Sequence, residues 1–138
     1  MHNTFLNIYL CIMIIENTQT QMRKGILEYC ILSIIAKGET YASDIIAELK
    51  KAQLLVVEGT LYPLLTRLKN NGLLTYNWVE STSGPPRKYY VLADEGRIVL
   101  EQLDQTWREL EFAVQTAIGN RKKGDKPGDA TNNETSAS

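Results

Sequence analysis

The chain has 138 residues, about the length of one domain, and its apolar fraction of 43% is sufficient for a hydrophobic core. Its formal net charge of −1 gives no overall attraction to a polyanionic partner. The only histidine, His2, lies at the terminus, and Cys11 and Cys30 lie far apart, which argues against an enzyme with a histidine base, a metal site or another cofactor.

The first 21 residues contain an apolar run at positions 5–15, interrupted by Asn7. The run is shorter than the roughly 20 residues that cross a bilayer, so no membrane association is expected. No Lys or Arg precedes it, and no small-residue cleavage pattern follows, so a signal peptide is poorly supported. Two interpretations remain open. Residues 1–21 form an N-terminal arm or extra helix, or they result from an over-long gene start, in which case Met13 or Met22 is the functional start.

Two amphipathic helices are predicted next. Residues 22–36 carry apolar side chains spaced by three and four positions, as a helix with one buried face requires. The second helix is predicted within residues 41–52, "YASDIIAELKKA", where Ile45, Ile46 and Leu49 share a face. Ser43 or Asp44 is expected to accept the free amide hydrogens of its first turn.

A third helix is predicted in "EGTLYPLLTRLKNNGLL", which has leucines in helical register. It is expected to start close to Gly59 or Thr60, because Pro63 is tolerated only near a helix start. Its exposed face presents hydroxyl and guanidinium groups that are suited to phosphates and base edges. These belong to Thr60, Tyr62, Thr66 and Arg67.

A β-hairpin is predicted from residues 74–80 and 88–92, which are rich in β-branched and aromatic side chains. The "STSGPP" stretch is expected to form a longer loop with both prolines at its tip, because proline cannot donate to a sheet ladder. Tyr89 and Tyr90 point to opposite faces of the strand, so only one of them can be in the core.

A long helix is predicted over residues 94–120, and its apolar side chains recur at alternating spacings of three and four. This heptad seam indicates a partner helix from a second copy of the chain. The off-seam residues Ile98, Val99, Phe112 and Ile118 are expected to meet the first helix. The seam consists of Leu100, Leu103, Trp107, Leu110 and Val114.

Residues 121–138 lack apolar periodicity and are predicted to be disordered.

Three helices followed by a hairpin are the element order of a winged helix-turn-helix, so the predicted fold is mainly α with a small β-hairpin and a long C-terminal dimerisation helix. Residues 22–93 would form the DNA-binding domain. They carry nine Lys and Arg against six Asp and Glu, whereas residues 94–120 carry two against six. Within the hairpin, Arg87 and Lys88 place positive charge beside the predicted tip.

Two stretches, "GTLYPLLTRLKNNGLL" at 59–74 and "SGPPRKYYVLADEGR" at 83–97, resemble the PadR family of bacterial transcriptional regulators. The resemblance runs from about residue 22 to residue 120 and is greatest to small members with a single C-terminal helix. It implies a cytoplasmic, homodimeric DNA-binding protein, usually a repressor released by a small molecule. Its double-stranded DNA target would be a pseudo-palindromic operator.

The resemblance also implies roles for individual residues. The DNA-facing positions would be Tyr41 and Ser43 on the second helix, Thr60, Tyr62 and Arg67 on the third, and Arg87 and Lys88 in the wing. The chain has Tyr41-Ala42-Ser43-Asp44 where family members often have Tyr-Gly-Tyr-Glu, and Val57-Glu58 where serine often precedes the Gly-Thr-Leu-Tyr motif.

In drug-responsive members an aromatic residue at the position of Trp107 stacks planar cationic compounds between the two subunits. Glu111 would then compensate the charge of the compound, and Met22 and Tyr29 would line the opposite wall. Trp107 is alternatively a plain dimer-core residue, because tryptophan buries a large area. A second hypothesis for the whole chain is a winged-helix protein-interaction module that does not bind DNA, which the net charge and Glu58 favour.

Overall fold

A computed structural model describes residues 2–120. The elements are α1 (His2–Ile35), α2 (Ala42–Lys51), α3 (Glu58–Asn70), β1 (Leu74–Ser81), β2 (Gly84–Leu92) and α4 (Asp94–Ile118). The predicted order of helices followed by a hairpin and a long last helix is confirmed. The predicted disordered tail, 121–138, lies outside the described residues. The chain divides into two compact units, with the boundary after Asp104 in α4.

The first unit has one hydrophobic core, to which α1, α2, α3 and the hairpin all contribute. Ile31, Ile45, Leu61 and Leu65 are completely buried. Burying an aliphatic side chain of this size stabilises the fold by roughly 1.5–3 kcal/mol. The helical spacing in the sequence therefore identified the buried faces correctly.

Residues 2–21 continue α1 without a break, so the structure contains no separate extra helix before it. The apolar side chains of this extension are exposed on every side; Phe5, for example, is 84% exposed. Within residues 2–120, no helix combines the length and the hydropathy that crossing a bilayer requires.

The predicted N-cap of α2 is wrong. Helix α2 begins at Ala42, which is buried, and the residue before it, Tyr41, has an extended backbone with no side-chain capping bond. Ser43 and Asp44 therefore lie inside the first turn. There the Asp44 carboxylate interacts favourably with the positive end of the helix dipole. Helix α3 begins at Glu58, close to the predicted start.

The hairpin differs from the prediction at its tip. Its strands pair as Tyr76 with Tyr90 and Trp78 with Lys88, and the turn between Ser81 and Gly84 has only two residues. The prediction of a longer loop with both prolines at its tip is therefore wrong.

Pro85 and Pro86 lie within β2, at a register irregularity where these two prolines oppose one residue, Glu80. Such a bulge tolerates proline because the ladder is interrupted at that point. The prolines therefore stiffen the side of the wing next to its tip.

Helix α4 contributes to the core through its first turns. Val99, Leu100 and Leu103 pack against the core cluster, so the first two predicted seam residues are partly covered within one chain. Ile98 is 64% exposed, and the expectation that it meets the first helix is wrong. Its helical position points away from the buried stripe. Phe112 and Ile118 belong to the second unit, and the contact expected for them stays a prediction.

Gly96 lies in the first turn of α4 against the end of the hairpin. A Cβ at this position would lie 2.2 Å from the Leu73 carbonyl oxygen and 2.7 Å from Leu92 Cδ1. The Leu73 oxygen belongs to the backbone and accepts a hydrogen bond from the Ala93 amide at 3.0 Å, so it cannot move away at low cost.

We therefore expect Gly96→Ala to lower the free energy of unfolding by about 1–3 kcal/mol through overpacking. The matched control is Gly25→Ala in α1, where a Cβ meets nothing within 4 Å. This control should stabilise the helix by up to about 1 kcal/mol. Urea unfolding at one protein concentration measures both changes, and equal effects would contradict the packing argument.

Candidate nucleic-acid interface

A cleft of about 540 Å³ lies between the start of α2, the exposed face of α3 and the hairpin. It brings together five of the residues predicted to contact DNA, although they are up to 47 positions apart in the sequence. These are Tyr41, Ser43, Tyr62, Arg87 and Lys88. The cleft is therefore the candidate interface.

Aromatic rings hold one side of this cleft in place. The Tyr41 and Tyr89 ring centroids are 3.5 Å apart with the rings tilted at 39°, and the Arg87 guanidinium lies 5.3 Å from the Tyr41 centroid. A cation over an aromatic face is attracted by the ring quadrupole. Tyr41 therefore connects the start of α2 to the wing and orients Arg87.

Tyr90 forms the floor of the cleft. It is only 5% exposed, which confirms that just one of the adjacent tyrosines belongs to the core. Burial raises the pKa of the Tyr90 hydroxyl, and the neighbouring Tyr62 and Tyr76 raise it further. Tyr90 therefore remains neutral at physiological pH.

Two of the other predicted residues of α3 lie on its α1 side, outside the cleft. Thr60 lines a groove on the α1 side of the helix, together with Lys24 and Leu27. Arg67 forms an ion pair with Glu28 of α1, so its guanidinium is drawn away from the wing. Thr66 is exposed, four positions after Tyr62 and hence on the same helix face.

Three residues in or next to the wing were not among the predicted DNA contacts. They are Lys69, Tyr76 and Trp78. Lys69 follows Tyr62 by seven positions and has its ammonium 5.1 Å from the Tyr76 ring centroid. The Lys88 ammonium lies 4.4 Å from the Tyr76 centroid and 5.2 Å from that of Trp78. Two signals in the sequence could have found them: the spacing from Tyr62 to Lys69, and the alternation of Tyr76 and Trp78 along β1.

The four predicted effector residues are divided between the two compact units. In the first unit, the Tyr29 hydroxyl donates a hydrogen bond to Asp104 Oδ1 at 2.5 Å, and Met22 is exposed. In the second unit, Trp107 is 41% exposed and Glu111 is exposed. A shared binding site for these four residues remains a prediction.

A model of the transcriptional regulator PadR-like family matches residues 31–102, slightly more than half of the chain. The chain belongs to the PadR family. PadR proteins are transcription regulators, so the prediction that this chain is not an enzyme is confirmed.

Solved PadR structures share the fold. A PadR-like transcription factor from Bacteroides fragilis is 59% identical, with coverage of 73% of this chain and 98% of that one and a TM-score of 0.63. A PadR family regulator from Eggerthella lenta is 31% identical, covers 78% and 94%, and has a TM-score of 0.70. Bacillus subtilis PadR, solved with operator DNA, is 28% identical over 56% of this chain and 46% of its own, with a TM-score of 0.53.

The ion pair between Arg67 and Glu28 is testable by a double-mutant cycle. We expect Arg67→Ala and Glu28→Ala to be coupled by about 0.2–1 kcal/mol in the free energy of unfolding, the range of partly exposed pairs. Lys69→Ala combined with Glu28→Ala is the control and should be additive, because Lys69 lies over Tyr76. Additivity of the first pair would show that Arg67 is not held by α1.

Proposed function

We propose that this PadR family member is a homodimeric, sequence-specific DNA-binding regulator that acts as a repressor. The observation that carries the proposal is the single cleft formed by α2, α3 and the wing, which gathers polar and cationic side chains from three elements. The operator complex of the related Bacillus subtilis PadR supports DNA as the ligand. The target would be double-stranded DNA in the cytoplasm.

The chemistry of each side chain suggests its role. Arg87 and Lys88 would bind phosphates from the wing, since cations on the hairpin can follow the DNA backbone. Tyr62 and Thr66 share the exposed face of α3 and would approach base edges in the major groove. Tyr41 and Ser43 would contact phosphate at the start of α2. Thr60 and Arg67 lie on the α1 side of α3 and would contact the DNA strand that passes this side of the helix.

Helix α4 is the proposed dimerisation element. In one chain the last three seam residues, Trp107, Leu110 and Val114, are 41%, 52% and 53% exposed. A second copy of α4 would cover this stripe by coiled-coil packing. A two-fold dimer would place the two recognition helices roughly 34 Å apart, which matches a pseudo-palindromic operator.

DNA binding is tested by anisotropy with the labelled fragment upstream of the protein's own gene. Affinity should fall steeply with salt. The double variant Arg87→Gln, Lys88→Gln should bind at least about 10-fold more weakly, and its salt slope should fall by about 0.9 for each phosphate that the variant no longer neutralises.

The matched control is Lys50→Gln, an exposed cation in the last turn of α2, the end farther from the cleft. The Lys50→Gln variant should bind the DNA fragment with unchanged affinity. Failure of the unmodified chain to retain any genomic fragment at low salt would refute DNA binding and favour a protein-interaction module.

A planar aromatic cation is the proposed effector class, since Trp107 is accessible and Glu111 follows it by one helical turn. In a Trp78→Phe background, ethidium titrated in the absence of DNA should quench the remaining fluorescence of Trp107. Glu111→Gln should weaken the quenching by about 2-fold to 10-fold, the loss of one partly exposed charge interaction. Unchanged fluorescence would make Trp107 a dimer-core residue only.

A further inference from the structure

Tyr76 of β1 is in contact with two lysines from different elements. Lys69 is in the last turn of α3 and Lys88 is in β2, and their ammonium groups lie 5.1 Å and 4.4 Å from the Tyr76 ring centroid. One aromatic side chain thus connects the recognition helix to the wing.

The Tyr76 ring is itself held firmly. It is opposite Tyr90 in the hairpin register, and Tyr90 belongs to the buried core. Edge-on contacts to Trp78 and Tyr90, with centroid distances of 6.1 Å and 6.3 Å, limit its rotation. The position of the ring is therefore set by the core.

Within residues 2–120 neither of these two ammonium groups forms an ion pair. A carboxylate partner would orient a lysine and also neutralise its charge. An aromatic face orients the lysine but leaves its full charge available to another anion. Two like charges beside one ring also repel each other, so an arriving polyanion would relieve that repulsion.

We propose that Tyr76 is a positioning residue that presents Lys69 and Lys88 together to DNA phosphates and so sets the wing relative to the recognition helix. The inference rests on the proposed DNA-binding function. It adds Lys69 to the interface and gives the tyrosine ring a role that is separate from its contribution to the core.

The experiment compares two variants. Tyr76→Phe keeps the aromatic ring, whereas Tyr76→Leu replaces the ring with an aliphatic side chain and so keeps an apolar residue in the core. On the same DNA fragment, Tyr76→Phe should bind within about 2-fold of the unmodified chain. Tyr76→Leu should bind roughly 5-fold to 30-fold more weakly, as expected for two cation–π interactions. Its salt slope should also be shallower, because loosely held lysines neutralise fewer phosphates.

A cycle with Lys69→Met separates positioning from stability. In the unmodified chain Lys69→Met should weaken binding several-fold and reduce the salt slope by about 0.9. In the Tyr76→Leu background the same change should have less than about half of that effect on the logarithm of affinity. If the effects of Lys69→Met on affinity and on the salt slope were the same in both backgrounds, Tyr76 would be a core residue only.

If Tyr76→Leu does not fold, pentafluorophenylalanine in place of Tyr76 keeps the ring volume and reverses the sign of its face. Binding should then be weaker than that of Tyr76→Phe by several-fold, and equal binding would overturn the proposal. Absence of DNA binding by the unmodified chain would overturn both this inference and the proposed function. DNA binding that is indifferent to the ring would overturn this inference alone.

Discussion

The arrangement of the molecule depends on the burial of one face of α3. Leu61, Leu65 and Leu68 are packed among α1, α2 and the start of the hairpin, and together they fix how the helix is rotated about its own axis. Because an α-helix advances 100° per residue, this rotation also determines where every polar side chain of α3 lies. Tyr62 and Lys69 face the wing, while Arg67 faces α1.

Much of this could be predicted from the sequence, because the helices bury continuous apolar stripes and the PadR-like motifs span the third helix and the wing. The tip of the hairpin could not be predicted in the same way. Proline was expected in the loop because it lacks an amide hydrogen, but a bulge opposite Glu80 accommodates Pro85 and Pro86 inside the strand. Whether proline ends a strand or distorts it depends on the opposing register, which a single sequence does not contain.

The candidate site was predictable to a similar extent. Five residues that were predicted to face DNA line one cleft, since the element order places them on one surface, and their contact with DNA stays a prediction. Arg67 was predicted to face DNA, and its ion pair with Glu28 was not foreseen, because Glu28 lies 39 positions earlier in the chain and no local sequence pattern connects the two residues. The spacing from Tyr62 places Lys69 on the same helix face, but its contact with Tyr76 could not be predicted, because a cation–π contact between a helix and a strand depends on tertiary geometry.

The bulged strand has a further consequence for how the protein behaves in a concentrated solution. An exposed strand edge with free amide hydrogens invites pairing with other chains and hence aggregation. On β2, Tyr90 exchanges hydrogen bonds of 3.2 Å and 2.9 Å with Thr40, so its edge is already occupied there. Toward the tip, Pro85 and Pro86 have no amide hydrogen to offer. The wing is thereby protected from adding a foreign strand along its β2 edge.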